Sequence, residues 1–349
     1  MHVLDYRRLV LLTEGSLGLF TSKTAASIIR YRRNDVVAVL DSECAGKSLE
    51  RLLGFGEGIP IIAEIAEAMP DHPDALVIGI APSGGQLPDR MRRHVIDALR
   101  AGLAVISGLH YRLRDDDELN EIARDHGAPI YDVRDPGVTT RLSFGRARSM
   151  RVKRVLTVGT DCAVGKMVTC LELRTAAVRA GLDAAFVPTG QTGIMIEGWG
   201  TSIDAVVSDF AGGAAEALVE RVADRGICFV EGQGSIEHPA YSAVSLALLH
   251  GVCPDAIIMC HRPGRTHHND RPDCPIARIE EQILLNESLT RPLHPGKVVG
   301  VSLNTAGMPD EEATAHVADI ARRTGLPVSD PIRTGVAPLL AAVRSYLGI

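Results

Sequence analysis

The sequence predicts an α/β protein of two parallel-sheet domains: a Rossmann-like domain over residues 1–145 and a P-loop NTPase-like domain over residues 146–349. Three observations predict it. Short aliphatic runs alternate with amphipathic stretches along the chain, the pattern of a parallel sheet covered by helices on both faces. The alternation breaks once, across residues 134–153. Immediately afterwards comes a strand, a glycine-bounded loop and a helix-opening Gly-Lys pair, the order that builds an anion cradle.

In the first domain the strand runs are Leu9 to Leu12, Val36 to Leu40, Leu76 to Ile80, Ala104 to Ile106 and Pro129 to Val133. Helices are expected between them at Lys23 to Tyr31, Asp89 to Ala101 and Asp116 to His126. Gly15-Ser16-Leu17-Gly18, after the first strand, is a weak dinucleotide-like loop that alone supports little. The connecting stretch then brings a Pro-Gly pair, loses apolar periodicity and carries Arg134, Arg141, Arg146, Arg148, Arg151 and Lys153. It reads as a solvated connector, or as a source of arginines for an anionic cleft between the domains.

In the second domain the strands are placed at Arg154 to Val158, Ala184 to Val187, Ile227 to Val230, Ala256 to Cys260, Val298 to Leu303 and Pro327 to Ser329. The helices between them are placed at Lys166 to Ala180, Ala205 to Arg225, Ser242 to His250, Ile276 to Leu289, Glu311 to Thr324 and Val336 to Tyr346.

Composition narrows the function classes. The 349 residues, 46% of them hydrophobic, can fill two cores, and one core rarely grows beyond about 250–300 residues. With 37 basic against 43 acidic residues, the net charge of −6 is opposite to a nucleic-acid binder's footprint. No apolar run approaches the roughly 18 residues of a membrane span, and the short N-terminal run is no signal h-region, so a cytoplasmic protein is expected. Seven scattered cysteines without CxxC spacing read as reduced thiols. A homo-oligomer is expected, with no nucleic-acid or membrane partner.

The chemistry centres on KRVLTVGTDCAVGKMVTC, from Lys153 to Cys170. Gly159, Thr160, Asp161, Cys162, Ala163, Val164, Gly165 and Lys166 form the loop, whose backbone N–H groups and lysine would surround an anion. The spacing departs from the ordinary GxxxxGK[ST] pattern twice: five residues separate Gly159 from Gly165, and Met167 follows the lysine. A thioether cannot replace the hydroxyl that holds Mg²⁺, since Mg²⁺ demands hard oxygen ligands, and Thr169 falls on a different helical face. Diphosphate binding is therefore expected, and magnesium-dependent phosphoryl transfer is in doubt.

The loop resembles the GTDTxVGKT loop of the dethiobiotin synthetase family, in which the extra residue is normal. That resemblance implies that Glu231, in the strand-end sequence ICFVEGQGS, meets a metal, and that Asn304, ending VVGVSLN, recognises a base. Asn304 also reads simply as a strand-end turn residue.

A broader resemblance covers nearly the whole chain. VGTDCAVGK, PTGQTGIMIEGWG from Pro188 to Gly200, VEGQGSIEHP, SLALLHG and DPIRTGVA are similar to a family long described as a domain of unknown function, the DgcN-like family. Ile78 to Pro88 and Ile106 to Leu113 fit it as well. The resemblance implies an N-acetyltransferase using acetyl-CoA on D-glutamate. Coenzyme A also answers the problem posed by Met167, because it carries an ADP-like diphosphate that needs no metal-assisted transfer.

Other residues stand close to these motifs. Thr189, Gln191 and Thr192, in the Thr-Gly-Gln-Thr-Gly segment after a strand, suit a substrate carboxylate or phosphate, or else an ordinary turn. The stretch from Cys260 to Cys274 is rich in ligand-type residues but matches no structural zinc pattern. It reads as a polar loop over the site, with Arg262, Arg265 and Arg271 offered to an anion. His238 reads equally as a general base or as a turn residue before Pro239, and Cys162 as a small residue fitting its loop ahead of a thiolate that could carry an acyl group.

The leading expectation is an acyl-CoA-dependent N-acyltransferase for a small amino acid, with its site between the domains and no metal. Lys166, the loop from Gly159 to Met167 and Asn304 would bind the cofactor, and Thr189, Gln191, Thr192 and Arg262 the substrate. Lys166, Glu231 and His238 would serve the chemistry, Glu231 or His238 taking the amine proton. The alternative is an ATP-dependent ligase or kinase of the dethiobiotin synthetase type, with Asp161 and Glu231 on Mg²⁺.

Overall fold

The structure, a computed structural model, describes residues 3–82 and 84–349. Met1, His2 and Ser83, the last within the Ile78 to Pro88 segment, lie outside the described residues. The chain forms two compact units: residues up to Pro136 together with Gln191–Ala205, and Gly137–Gly190 together with Val206–Ile349.

The first unit contains, in chain order, β1 (Leu9–Leu12), α1 (Lys23–Tyr31), β2 (Val36–Leu40), α2 (Leu49–Leu53), β3 (Ile61–Ile62), β4 (Ala75–Ile78), α3 (Asp89–Arg100), β5 (Ala104–Ser107), α4 (Asp117–Asp125) and β6 (Ile130–Asp132). The strands form one parallel sheet in the order β3-β2-β1-β4-β5-β6, the doubly wound Rossmann arrangement. All four residues of β1 are buried, because both faces of a parallel sheet are covered. Val10 and Leu12 meet Leu76, Ile78, Met91 and Val95 on one face, while Leu9 and Leu11 meet Ile28, Ile29 and Val77 on the other. The two-residue alternation of a strand thus persists inside an unbroken apolar run.

The second unit begins with β7 (Lys153–Gly159), α5 (Lys166–Arg179) and β8 (Ala184–Val187). The chain then enters α6 (Gln191–Glu197), which belongs to the first unit. There Met195 joins the core beside Leu9 and Leu11, its carbonyl accepts from Arg32 at 2.9 Å, and the Thr192 and Thr24 hydroxyls lie 2.9 Å apart. No helix was expected at this place, which read as a ligand-contacting segment or else an ordinary turn. Seven residues including Gly193 hold little helix propensity, and the packing of Met195 supplies the stability instead.

The chain continues through α7 (Ser208–Glu220), β9 (Ile227–Val230), α8 (Ser242–Val252), β10 (Ala256–His261), β11 (His267–His268), β12 (Arg271–Pro275), α9 (Ile279–Thr290), β13 (Lys297–Leu303), α10 (Asp310–Thr324), β14 (Val328–Ser329) and α11 (Ala337–Leu347). Six strands form a parallel sheet in the order β14-β13-β10-β7-β9-β8, so β7 runs through the middle. β11 and β12 are a separate antiparallel hairpin, within the stretch expected to be a plain polar loop.

The connector is ordered by a buried acid. Glu216, on α7, is fully buried and accepts from the Arg146 amide at 2.7 Å, the Phe144 amide at 3.2 Å and the Arg141 guanidinium at 3.2 Å. Arg141 also pairs with Glu220, and Arg134 pairs with Asp204 inside the first unit. α7 and α8 approach closely here, since a Cβ on Gly251 would overlap the Gly212 carbonyl.

Glu216→Ala strips these donors of their acceptor in a buried place. Urea unfolding should show a loss of about 2–4 kcal/mol, and a loss under about 1 kcal/mol would contradict the assignment.

Candidate functional site

β7 ends at Gly159 in the centre of its sheet and delivers the loop to the C-terminal edge, where α/β sheets place their ligands. The loop turns through two left-handed residues, Ala163 at φ 56° and Gly165 at φ 101°. α5 then starts at Lys166. A side chain at Gly159 would crowd the Lys166 ammonium at 2.9 Å, so glycine there lets the lysine lie across the loop. Lys166 is buried, and its Nζ donates to the carbonyls of Asp161 and Gly234, each at 2.8 Å. Helix N-terminal amides, a glycine-lined turn and one ammonium make an anion cradle.

The helical face decides the fate of the hydroxyls. Met167 is half-buried after the lysine. Thr169 Oγ1 donates to Gly165 O at 2.9 Å and lies 2.8 Å from Ser302 Oγ, so it is spent within the unit and turned away from the loop. Val164 is buried, and Cys162 is half-buried, with its carbonyl accepting from Arg265 at 2.7 Å. Thr160 Oγ1 lies 3.0 Å from His261 Nδ1. Burial, then the charges of Arg323, His316 and Arg265, lower His261 to about 4, so it is neutral at physiological pH.

Asp161 has no exposed surface. Its Oδ2 accepts from Arg265 at 2.7 Å and from the Asn269 amide at 2.8 Å, and its Oδ1 lies 3.1 Å from His268 Nδ1. Burial pushes this carboxyl up, but the bonds from Asn269, His268, Cys162 and Arg265 outweigh it and hold the group below the ordinary range. Arg265, His268 and Asn269 come from the hairpin and the turn before it, so the segment between Arg262 and Pro275 is fastened onto the phosphate loop.

Glu231 follows β9. Its Oε2 accepts from the amides of Thr189 at 3.1 Å and Gly190 at 3.2 Å, while the Thr189 hydroxyl donates to the Glu231 carbonyl at 2.6 Å. Burial raises the Glu231 carboxyl to about 7 against the opposing pull of those amides, Gln233 and Lys166. Gly232, next in line, packs so tightly on β7 that a Cβ would overlap the Thr157 carbonyl.

The expected site residues therefore divide. Lys166, Asp161, Glu231, Thr189 and His238 are buried in the second unit. A Cβ built on Gly165 would meet Asn304 in van der Waals contact, and the Asn304 Oδ1 accepts from the Ala306 amide at 3.2 Å. Arg262 donates to Ala306 O at 3.3 Å, and burial, then Arg265, lowers its pKa. Gln191 and Thr192 belong to the first unit.

One residue escaped the reading of the sequence as a site group: His268, buried, with its ring 5.0 Å from that of His238. Asp161, His238 and His268 each place a ligand-type atom within 4.8 Å of the others. The Asn269-Asp270 turn, with Asp270 at φ 60°, was the available signal for a hairpin that would bury it.

Fold and cradle together define a two-domain α/β protein with a Rossmann-like unit and a P-loop unit. The family domain described as "Domain of unknown function (DUF1611_C) P-loop domain" matches residues 141–340, and the "DUF1611_N" Rossmann-like domain matches residues 42–136. The chain belongs to the DUF1611 family. It is similar to a D-glutamate N-acetyltransferase of Tritonibacter scottomollicae, 40% identical with 94% of this chain and 95% of the relative covered. A second D-glutamate N-acetyltransferase, of a Pseudoalteromonas species, is 38% identical with 79% and 83% covered. A crystal structure of a DUF1611 family protein from Anabaena variabilis superposes with a TM-score of 0.92 at 40% identity, covering 97% of this chain and 99% of that one.

Two results are expected. Gly232→Ala should cost about 3 kcal/mol or more in chemical denaturation, since backbone and not a flexible side chain blocks the methyl group; a neutral substitution would refute the packing described. For Glu231 the folded pKa of about 7 exceeds the ordinary 4.5, so the stability tied to its proton is full below 4.5 and is lost as pH rises through 7. The melting temperature of Glu231→Gln should therefore gain on the parent between those two pH values, and parallel melting curves would exclude the raised pKa.

Proposed function

We propose that this chain transfers the acetyl group of acetyl-CoA to the amine of D-glutamate. The observation that carries the reading is the phosphate loop in which Met167 replaces the magnesium-holding hydroxyl and Thr169 is committed to Ser302. Such a cradle suits a diphosphate that is held and not cleaved, as in coenzyme A. Similarity to two D-glutamate N-acetyltransferases over most of the chain supports the same activity.

Lys166 and the loop amides from Gly159 to Met167 hold the diphosphate, with Asn304 beside Gly165 facing the nucleoside. Glu231 sets the charge next to Lys166, and Thr189 holds Glu231 in place. Arg262 is the cation proposed for an amino-acid carboxylate. The phosphoryl-transfer alternative is weakened by the donors already engaged on both of its metal-binding candidates, Asp161 and Glu231.

The test is incubation with D- and L-amino acids and either acetyl-CoA or Mg-ATP, following free thiol and ADP. Thiol release with acetyl-CoA and D-glutamate is expected, and ADP without thiol would overturn the proposal. Lys166→Ala should lower kcat/KM for acetyl-CoA about 10- to 100-fold, the loss of one charge-assisted contact of about 1.5–3 kcal/mol. An unchanged value would remove the lysine from the cradle.

A further inference from the structure

The cluster of Asp161, His238 and His268 has hydrogen-bond partners that fix where its protons lie. Asp161 is ionised and can only accept, so the 3.1 Å bond from His268 Nδ1 means that Nδ1 carries the hydrogen. In the neutral form of that ring, Nε2 then presents a bare lone pair. His238 is the reverse: its Nδ1 accepts from the Ala240 amide at 3.1 Å, so the hydrogen of the neutral ring sits on Nε2. Burial lowers the pKa of His238 and keeps that ring neutral.

Both Nε2 atoms are buried and neither makes a well-formed hydrogen bond among the described residues, although the Asn269 backbone lies close enough to the His238 ring to oppose the effect of burial on it. Leaving a buried polar atom unpaired costs about 1–3 kcal/mol, so two of opposite character, on rings 5.0 Å apart, form a site completed by a group that donates to one and accepts from the other. A divalent metal does not fit this set. A metal needs a lone pair on each imidazole, His238 Nε2 carries a hydrogen, and the Arg265 guanidinium already neutralises Asp161 at 2.7 Å. An amine beside a carbonyl does fit: its N–H reaches the lone pair of His268, and the carbonyl oxygen accepts from His238.

We propose that Asp161 and His268 form the base dyad of the acyl transfer, with His268 Nε2 taking the proton of the attacking amine and Asp161 as its positioning residue. The inference rests on the N-acetyltransferase reading. The substrate ammonium gives one proton to His268 Nε2, from which it passes to solvent. The freed lone pair forms the N–C bond to the thioester carbonyl, whose oxygen accepts from His238 as charge builds on it. The C–S bond then breaks, and the nitrogen's second surplus proton ends on the departing thiolate, leaving an amide, a free thiol and one released proton. The buried carboxylate fixes the His268 tautomer and stabilises the imidazolium, as in other acid–histidine pairs.

The experiment compares the full-length protein with its His268→Ala and His268→Asn variants, following thiol release from acetyl-CoA with D-glutamate. Each variant is checked by circular dichroism and by its acetyl-CoA dissociation constant. Kcat should fall about 100-fold or more with KM for acetyl-CoA within about threefold, and added imidazole should restore part of the activity of His268→Ala. A folded variant of either kind with kcat within threefold of the parent would overturn the dyad, as would a folded His268→Ala protein whose loss imidazole does not repair. Absence of thiol release from the parent protein would instead overturn the acetyltransferase reading and the dyad with it.

Discussion

Asp161 has no exposed surface, yet it lies in the middle of a loop expected to hold an anion. A bare buried carboxylate would cost several kcal/mol and would repel any phosphate. The chain resolves both problems with the same groups: the Arg265 guanidinium, the Asn269 amide and His268. These donors lie on a segment about a hundred residues downstream, so the need to compensate one acid brings the hairpin down onto the phosphate loop. Once there, the hairpin covers the loop's acid and brings His268 beside His238.

The same device recurs. Glu216 gathers the amides of the connector and the Arg141 guanidinium, and Glu231 gathers the amides of Thr189 and Gly190. The outcomes differ because the donors differ. Asp161 has a guanidinium and two further strong donors and stays ionised, whereas Glu231 has two backbone amides, the neutral Gln233 amide and a more distant lysine, so burial prevails and its pKa rises to about 7. Asp161 and Glu231 are therefore set apart by the quality of their partners, one held as an anion and the other titrating near neutrality.

Replacing a hydroxyl by Met167 alters what the P-loop can do without altering its shape. The turn needs glycine at Gly165, with φ 101°, and close approach at Gly159; neither demand involves the residue after the lysine. A loop can thus lack the hydroxyl that would be a hard metal ligand and still keep its amides and ammonium in place. Fold and chemistry separate at that one position.

Reading the chain alone determined the two parallel sheets, most strand positions and the phosphate loop. Those signals are local: an unbroken apolar run such as Leu9–Leu12, or the glycine spacing around Lys166. Family resemblance was equally legible, being carried by contiguous motifs. Only the tertiary structure decided that Gln191–Glu197 is a helix of the first unit, that the connector's Arg141 is spent on Glu216 and Glu220, and that His268 stands against Asp161. Each of these depends on a partner distant in sequence. A weak seven-residue helix, a buried carboxylate and a histidine tautomer have no local signature, because the energy that fixes them comes from groups the fold alone brings within hydrogen-bonding range.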